Sequence, residues 1–188
     1  MNVVLKTEDI DEILRTHPHS QRYYLGTFAA DTIPTKPTPL TCFVSNTDPQ
    51  TQPGEHWVAF FINQWGHTFY FDSYGIPPIT IKHLKFCQKS SHGIWTYNQQ
   101  QLQTLTSTTC GLHCIRFLLE ACRNLNAFTG LKAMRESPTN LTDKTVLGYI
   151  LRNQRKWRRQ STSANMYTTT TPHPLHAPRT TNRTRKKS

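Results

Sequence analysis

The pattern of apolar and polar residues predicts a β-hairpin in the first half of the chain. Residues 57–62 form a run of aromatic and β-branched side chains, and residues 68–73 form a second run. The short polar stretch between the two runs contains Gly66, which suits a tight turn. Further strands are predicted at residues 40–44 and 93–97, so four strands are expected in all.

The spacing of apolar residues also predicts three helices. The clearest covers residues 110–122, in which Leu112, Ile115 and Leu119 share one face. A short helix is predicted near the N-terminus, where Thr7 can cap a first turn rich in acidic residues. A third helix is predicted at residues 142–157. After residue 158 the chain becomes rich in Thr, Pro and basic residues, so we predict one domain over residues 1–158 and a disordered tail over residues 159–188.

The charge distribution separates the body of the chain from its C-terminal part. The net charge is +11, yet all eleven acidic residues lie between Glu8 and Asp143. From Arg152 onward there are ten Lys or Arg residues and no acid, which is typical of a segment that binds a polyanion. We therefore predict DNA as a partner, although the same clusters would serve nuclear import or simple solubility. The residues expected to contact DNA are Arg152, Arg155, Lys156, Arg158, Arg159, Arg183, Arg185, Lys186 and Lys187.

Several classes of protein are not expected from this composition. The longest apolar run has six residues, too few for a transmembrane helix, and the N-terminus has no apolar stretch of signal-peptide length. The five cysteines are odd in number and irregularly spaced, which argues against a disulfide framework and for a reducing, intracellular compartment. We therefore expect no membrane partner.

Cys110 is the first candidate for chemistry because it begins the clearest predicted helix. The unpaired N–H groups and the dipole at a helix N-terminus favour an anion, and both raise the thiolate fraction of a cysteine there. The other four cysteines lack this setting: Cys114 and Cys122 lie inside the helix, Cys42 in an apolar strand and Cys87 in a predicted loop. The alternative for Cys110 is an inert buried thiol.

The predicted hairpin adds a histidine and a carboxylate. His56 comes directly before the first strand and Asp72 near the end of the second, and the predicted pairing sets Asp72 opposite Trp57 and beside His56. A carboxylate that holds one ring nitrogen fixes the tautomer and leaves the other nitrogen as a base. The alternative for His56 is a solvated histidine at a strand end.

An acyl-transfer site also needs a donor for the oxyanion. Gln103 lies seven residues before Cys110, and its side-chain amide together with the Cys110 backbone N–H would serve. Gln99, Gln100 and Gln101 lie nearby, so spacing alone leaves the choice among four glutamines open.

A zinc site is the competing interpretation of the same helix. Cys110, His113 and Cys114 fall on one helical face. They lack a second pair of ligands at zinc-site spacing, so we predict that the chain uses no metal.

These residues together resemble the adenovirus protease (adenain) family, which has relatives in other DNA viruses and in virus-like transposons. The matches are colinear over residues 23–122. The strings that carry the resemblance are Tyr24-Leu25-Gly26-Thr27-Phe28, Cys42-Phe43-Val44-Ser45-Asn46-Thr47, Glu55-His56-Trp57-Val58-Ala59-Phe60, Phe69-Tyr70-Phe71-Asp72-Ser73-Tyr74-Gly75 and Cys110-Gly111-Leu112 with Cys114 and Phe117-Leu118.

The resemblance implies an α+β, papain-like fold in which a central mixed sheet is flanked by helices and the catalytic residues occur in the permuted order His, Asp, Cys. It implies that His56 is the general base, Asp72 the orienting carboxylate, Gln103 the oxyanion donor and Cys110 the nucleophile. Adenain itself has Glu at the position of Asp72, whereas the wider clan commonly has Asp.

The resemblance also implies a function, namely a monomeric viral cysteine endopeptidase of the host nucleus and the virion that cleaves precursor proteins at Gly-containing sites during maturation. DNA and a short peptide activate adenain. The cysteine that binds this peptide aligns near His92, and Cys87 is the nearest substitute, so the peptide link is an open question. Two alternatives remain: a protease of the same clan that removes ubiquitin-like modifiers, and an inactive protease-like protein that binds DNA.

Overall fold

A computed structural model describes residues 4–90, 93–135 and 148. Within these residues the chain folds into an α+β structure with five strands and four helices. The elements, in chain order, are α1 (Thr7–Thr16), β1 (Tyr24–Phe28), β2 (Thr41–Asn46), β3 (Trp57–Ile62), β4 (Thr68–Phe71), α2 (Ile81–Ser90), β5 (Trp95–Tyr97), α3 (Cys110–Asn124) and α4 (Ala127–Arg135). No helix in this described part is long and apolar enough to cross a membrane.

The five strands form one mixed sheet in the order β1-β2-β3-β4-β5. The inner strands β2, β3 and β4 pair antiparallel, whereas β1 and β5 each pair parallel to their neighbour at the two edges. The predicted hairpin is therefore confirmed as β3 and β4 at the centre of the sheet. Its strands are continuous apolar runs because both faces of the sheet are covered by other elements.

The sheet separates two hydrophobic clusters. Ala59 and Phe61 of β3 point into the larger cluster, which includes residues of α1, α3 and α4. Phe60 belongs to the smaller cluster on the opposite face, which α2 covers with Phe86. In the larger cluster the ring of Phe117 in α3 stacks on a strand phenylalanine with centroids 4.4 Å apart, and this fixes the helix across the hairpin.

Several predicted boundaries are wrong by a few residues, and each has a local reason. The strand predicted at 40–44 begins at Thr41, because Leu40 has a left-handed φ of 56°. Lys6, not Thr7, is the N-cap of α1, and the Asp9 carboxylate accepts its backbone N–H at 2.9 Å. The helix predicted at 110–122 continues to Asn124, where left-handed Leu125 ends it.

The prediction missed β1, α2 and α4. Helix α2 places Cys87, which we expected in a loop, in a buried helical position. The apolar pattern concealed this helix because its inward face includes His83 whereas Ile81 is exposed. The predicted helix at 142–157 and the predicted tail at 159–188 lie outside the described residues, except for Gly148, which is helical.

Candidate active site

The candidate site lies at the open end of the β3–β4 hairpin, where the first turn of α3 approaches it. His56 directly precedes β3 and Asp72 directly follows β4. Their side chains meet, with His56 Nε2 3.1 Å from Asp72 Oδ2. The predicted contact between histidine and carboxylate is therefore present, and it leaves Nδ1 as the ring nitrogen that can serve Cys110.

The register that brings these two residues together is not the one predicted. Ala59 pairs with Phe71, so the continued pairing sets Asp72 opposite Val58 rather than Trp57. This shift of one residue favours the contact between His56 and Asp72, because it places both side chains on the same face of the sheet. His56 lies two residues before Val58 and therefore shares the alternation of Asp72, which makes the two side chains diagonal neighbours.

Asp72 is completely buried, and its surroundings fix it in place. Its second oxygen, Oδ1, accepts the backbone N–H of Tyr74 at 2.7 Å. Its own backbone is held on both sides by the side chain of Asn98, which accepts the Asp72 N–H at 2.9 Å and donates to the Asp72 carbonyl at 2.6 Å. The carboxylate therefore has one position from which to orient the imidazole.

His56 has an unusual pKa because of two neighbours. Burial of the ring by itself lowers the pKa, but hydrogen bonding and charge interaction with Asp72 and with Cys110 outweigh burial and raise the pKa of His56 to about 9. Its side chain is still 14% exposed. At neutral pH both ring nitrogens of this imidazole are therefore protonated and the ring is positively charged. It faces both a carboxylate and a thiol.

Cys110 is the first residue of α3, as the sequence predicted. A first helical residue has no carbonyl one turn earlier to accept its N–H, which is therefore available to a ligand. Gly111 allows the close approach of the helix start to β3: a β-carbon on Gly111 would lie 3.2 Å from the Trp57 ring and 3.3 Å from the Leu5 side chain. The Trp57 indole N–H in turn donates to the Leu5 carbonyl at 3.1 Å.

Other cysteines have environments that disfavour the thiolate. Burial raises the pKa of Cys87 to about 12 and raises the pKa of Cys42 and of Cys114 well above the ordinary value. Cys42 Sγ and Cys122 Sγ lie 3.5 Å apart as free thiols in the core. Because Cys87 is fully buried, it is not an accessible thiol for an activating peptide, which argues against that substitute. His92 lies outside the described residues.

Of the four candidate glutamines, Gln103 is the one that lines the cleft next to Cys110. The backbone N–H groups of Leu102 and Gln103 both donate to the Ser73 carbonyl, at 2.8 and 3.0 Å, and this joins the loop to the end of β4. The Gln103 side chain is almost fully buried and internally bonded. Its Oε1 accepts from Ser73 Oγ at 2.6 Å, and its Nε2 donates to the Ser107 carbonyl at 2.8 Å and to the Tyr74 hydroxyl at 3.3 Å.

Gly75 is the residue that lets this loop approach. Its φ of +74° lies in the left-handed region, and a β-carbon there would be 2.6 Å from the Gln100 carbonyl carbon. The turn after Asp72 therefore requires glycine both for its backbone angle and for the contact that places Gln103.

His56, Gln103 and Cys110 border one cleft of about 730 Å³. One wall comes from the N-terminal segment at residues 4–8, and another from the loop after β2, which includes residues 48–50 and 52–55. The volume of the cleft lies in the range typical of ligand-binding sites in proteins.

Sequence reasoning missed two residues of the site, Tyr74 and Asn98. Tyr74 stacks its ring on His56 with centroids 5.0 Å apart, and Asn98 clamps the backbone of Asp72. Nothing in the sequence distinguishes Asn98 from other polar loop residues. Two signals were available for Tyr74: it follows Asp72 by two residues, and it belongs to one of the strings that carry the resemblance.

The described residues contain no group of three or more His, Cys, Asp or Glu side chains that could hold a metal ion. Neither the models of known protein families nor the curated sequences of characterised proteins match this chain.

Proposed function

We propose that this chain is a cysteine endopeptidase with a papain-like arrangement of the adenain type. One observation carries the proposal: a single imidazole, His56, interacts with the buried carboxylate of Asp72 on one side and with the thiol of Cys110 on the other. A cysteine at a helix start, a protonated histidine and an orienting carboxylate are the parts that nucleophilic acyl transfer requires. The helix that begins with Cys110 and lies across a hairpin is the layout expected of papain-like enzymes.

The proposed cycle begins when the Cys110 sulfur, as thiolate, attacks the scissile carbonyl carbon. The carbonyl oxygen takes up the charge and accepts the backbone N–H of Cys110. As the carbon–nitrogen bond breaks, His56 gives its proton to the leaving amine and a thioester remains on Cys110. Water then attacks the thioester while His56 takes its proton, and the carboxylic acid product and the thiol are released.

The substrate class follows from the resemblance to the adenain family. We propose viral precursor proteins cut at Gly-containing sites during virion maturation, in the host nucleus and the virion. DNA is proposed as a partner through the ten basic residues from Arg152 onward, which lie outside the described residues and could release counterions from phosphates.

The decisive experiment is hydrolysis of fluorogenic Leu-x-Gly-Gly peptides by the full chain and by Cys110→Ala. We expect turnover by the wild type and a loss of at least about 10³-fold in Cys110→Ala. Cys122→Ala is the matched control, since it removes a thiol from the same helix on its core side, and it should retain turnover. Undiminished cleavage by Cys110→Ala would refute the assignment.

Two further arms separate the alternatives. Duplex DNA should raise the rate, and salt should abolish that increase, because phosphate contacts weaken as salt competes for them. A conjugate of a ubiquitin-like protein serves as the comparison substrate. Faster cleavage of the conjugate than of the peptides, with no effect of DNA, would indicate a deconjugating protease. DNA binding without hydrolysis of either substrate would indicate an inactive protease-like protein.

A further inference from the structure

Helix α2 carries three lysines along its outer side. Lys82, Lys85 and Lys89 follow one another at intervals of three and four residues, and all three are exposed. Because a helix turns by about 100° and rises by about 1.5 Å per residue, the three lysines lie within a sector of about 60° and span about 10 Å of the axis. Phe86 holds the inward side of the helix in the smaller hydrophobic cluster, so this α2 lysine stripe faces solvent.

No acidic residue balances the α2 lysine stripe. Residues 73–119 contain no Asp or Glu. None of the three lysines forms an ion pair with a residue that the structure describes, whereas Arg15 on α1 is paired with Asp11 at 3.2 Å. Residues 1–151 contain twelve Lys or Arg and eleven Asp or Glu, a net charge of +1. The stripe is therefore a local concentration of positive charge on a body that is nearly neutral.

The local structure of α2 favours only one of these lysines. Lys89 lies in the last turn, where the helix dipole favours a cation. Lys82 lies in the first turn, where the same dipole disfavours a cation. Lys85 is one turn from each of the other two, and like charges at that spacing destabilise a helix. A polyanion bound along the stripe would relieve both of these costs.

We propose that the α2 lysine stripe is a surface of the folded domain that contacts the phosphates of duplex DNA. The inference rests on the proposed DNA partner and adds a contact to those expected from residue 152 onward. Successive phosphates of one DNA strand follow at about 3.4 Å along the duplex axis, so a stripe of about 10 Å covers about three of them. Lysines that contact phosphates do not read bases, so binding here is independent of sequence.

The position of the stripe leaves the candidate active site open. No residue of α2 lines the cleft that His56 and Cys110 border. Helix α2 covers one face of the sheet, whereas α3, which begins with Cys110, packs on the other. The domain can therefore lie on DNA through α2 while a peptide enters the cleft.

Lysine footprinting of the full chain tests the contact without any substitution. The protein is acetylated by a hydroxysuccinimide ester with and without a short duplex DNA, and mass spectrometry gives the rate at each lysine. We expect duplex DNA to slow acetylation of the α2 lysine stripe and to leave Lys132, an exposed lysine on α4, unchanged. Protection of lysines beyond residue 152 alone, or equal protection of Lys132, would overturn the proposal.

The salt dependence of DNA binding gives the size of the effect. Replacing all three lysines of the stripe with Gln should reduce the slope of log K against log salt by about 2.7, since each phosphate contact contributes about 0.9. The matched control removes three exposed cations from α3 and α4 by Arg123→Gln, Lys132→Gln and Arg135→Gln, and it should leave the slope nearly unchanged. An equal reduction in the control would assign the effect to net charge and overturn the role of the stripe.

Anionic lipid vesicles are the comparison ligand, because two exposed isoleucines, Ile79 and Ile81, lie next to the stripe in the sequence. Protection of the stripe by vesicles of phosphatidylcholine and phosphatidylserine, but not by duplex DNA, would overturn the proposal in favour of a lipid surface. A full chain that binds no duplex DNA would overturn both the stripe and the proposed DNA partner. A full chain that binds DNA with the stripe unprotected would overturn the stripe alone.

Discussion

Two histidines of this protein make similar contacts and have opposite properties. His56 Nε2 lies 3.1 Å from a side-chain oxygen of Asp72, and His83 Nε2 lies 2.9 Å from the side-chain oxygen of Ser45. The pKa of His56 is raised to about 9, whereas the pKa of His83 is lowered to about 4. A short contact between a ring nitrogen and an oxygen therefore does not by itself determine the protonation of a histidine.

Burial disfavours the charged form of both rings, so the difference comes from their partners. His83 lies on the inward face of α2 with no solvent exposure, and the hydroxyl of Ser45 brings no charge to balance an imidazolium. Asp72 brings a full negative charge to His56 and outweighs burial. A buried hydroxyl holds a neutral histidine, and a buried carboxylate holds a charged one.

The comparison extends to the cysteine beside each histidine. Cys110 interacts with the charged ring of His56, whereas Cys87 lies one helical turn after the neutral His83. The pKa of the Cys87 thiol is raised by burial to about 12, and among the described residues no charged imidazole opposes that effect. The same two residue types thus occur once with a charged imidazole, at the end of the hairpin, and once with a neutral imidazole, on the other face of the sheet.

The largest effect on the difference in pKa between His56 and His83 is expected when the carboxylate of Asp72 is neutralised. Asp72→Asn should lower the pKa of His56 toward that of His83 and reduce kcat/KM by about 10³- to 10⁴-fold, because the charged form loses its partner. The measurement combines peptide hydrolysis with histidine NMR titration. Glu12→Gln, which neutralises an exposed carboxylate on α1 that does not line the cleft, is the control. A pKa near 9 that survives Asp72→Asn would show that another group charges the ring.

Alkylation by iodoacetamide tests the two cysteines directly. We expect Cys110 to react at least about 10²-fold faster than Cys87 at neutral pH, because only Cys110 has a charged imidazole beside it. Mass spectrometry of tryptic peptides over time gives both rates in one sample. Asp72→Asn should slow the reaction of Cys110 and leave Cys87 unchanged. Equal rates at the two cysteines would contradict the assignment of Cys110 as the activated thiol.

The two histidines should make contributions to folding stability that depend on pH in opposite directions. The folded pKa of His56 lies above the ordinary 6.5, so the stability it contributes is present below pH 6.5 and is lost as the pH rises through about 9. The folded pKa of His83 lies below 6.5, so its contribution is present above pH 6.5 and is lost as the pH falls through about 4.

Activity should follow His56 alone and decline on the alkaline side near pH 9, where the imidazole loses the proton it gives to the leaving amine. Histidine NMR titration measures the pKa of His56, and the pH profile of kcat independently measures the pKa of the group whose proton is needed for turnover. If the alkaline limb of kcat lies two or more pH units away from the NMR pKa of His56, the His56 proton is not the one that turnover requires.

The smallest effect expected is that of Ser45→Ala. It removes the hydroxyl beside His83 and leaves a buried ring nitrogen without its partner, which should cost about 1–3 kcal/mol of unfolding free energy. Peptide hydrolysis should be unchanged, because α2 and β2 contribute this pair to the face opposite α3. Urea unfolding measures the first quantity. A large loss of activity in a variant that remains folded would mean that the two histidines are coupled.

The hairpin and the helix start were predictable because their signals are local. The apolar runs that became β3 and β4 are continuous and joined by a short turn, so His56 and Asp72 had to be near each other. The one-residue error in register arose because periodicity predicts which residues are apolar but does not determine how two strands slide. Helix α2 escaped prediction because His83, a polar residue, faces inward.

The sequence by itself determined the candidate nucleophile, base and carboxylate, since the position of each depends on its own helix or strand. Only the tertiary structure decided which side chains surround them. Asn98, Tyr74 and the bonds that occupy Gln103 come from loops whose path is fixed by contacts distant in sequence, such as the approach of Gly75 to Gln100. The protonation state of each histidine also depends on the tertiary structure, because burial and the charge of a neighbouring side chain set its pKa. A local sequence pattern predicts neither of these.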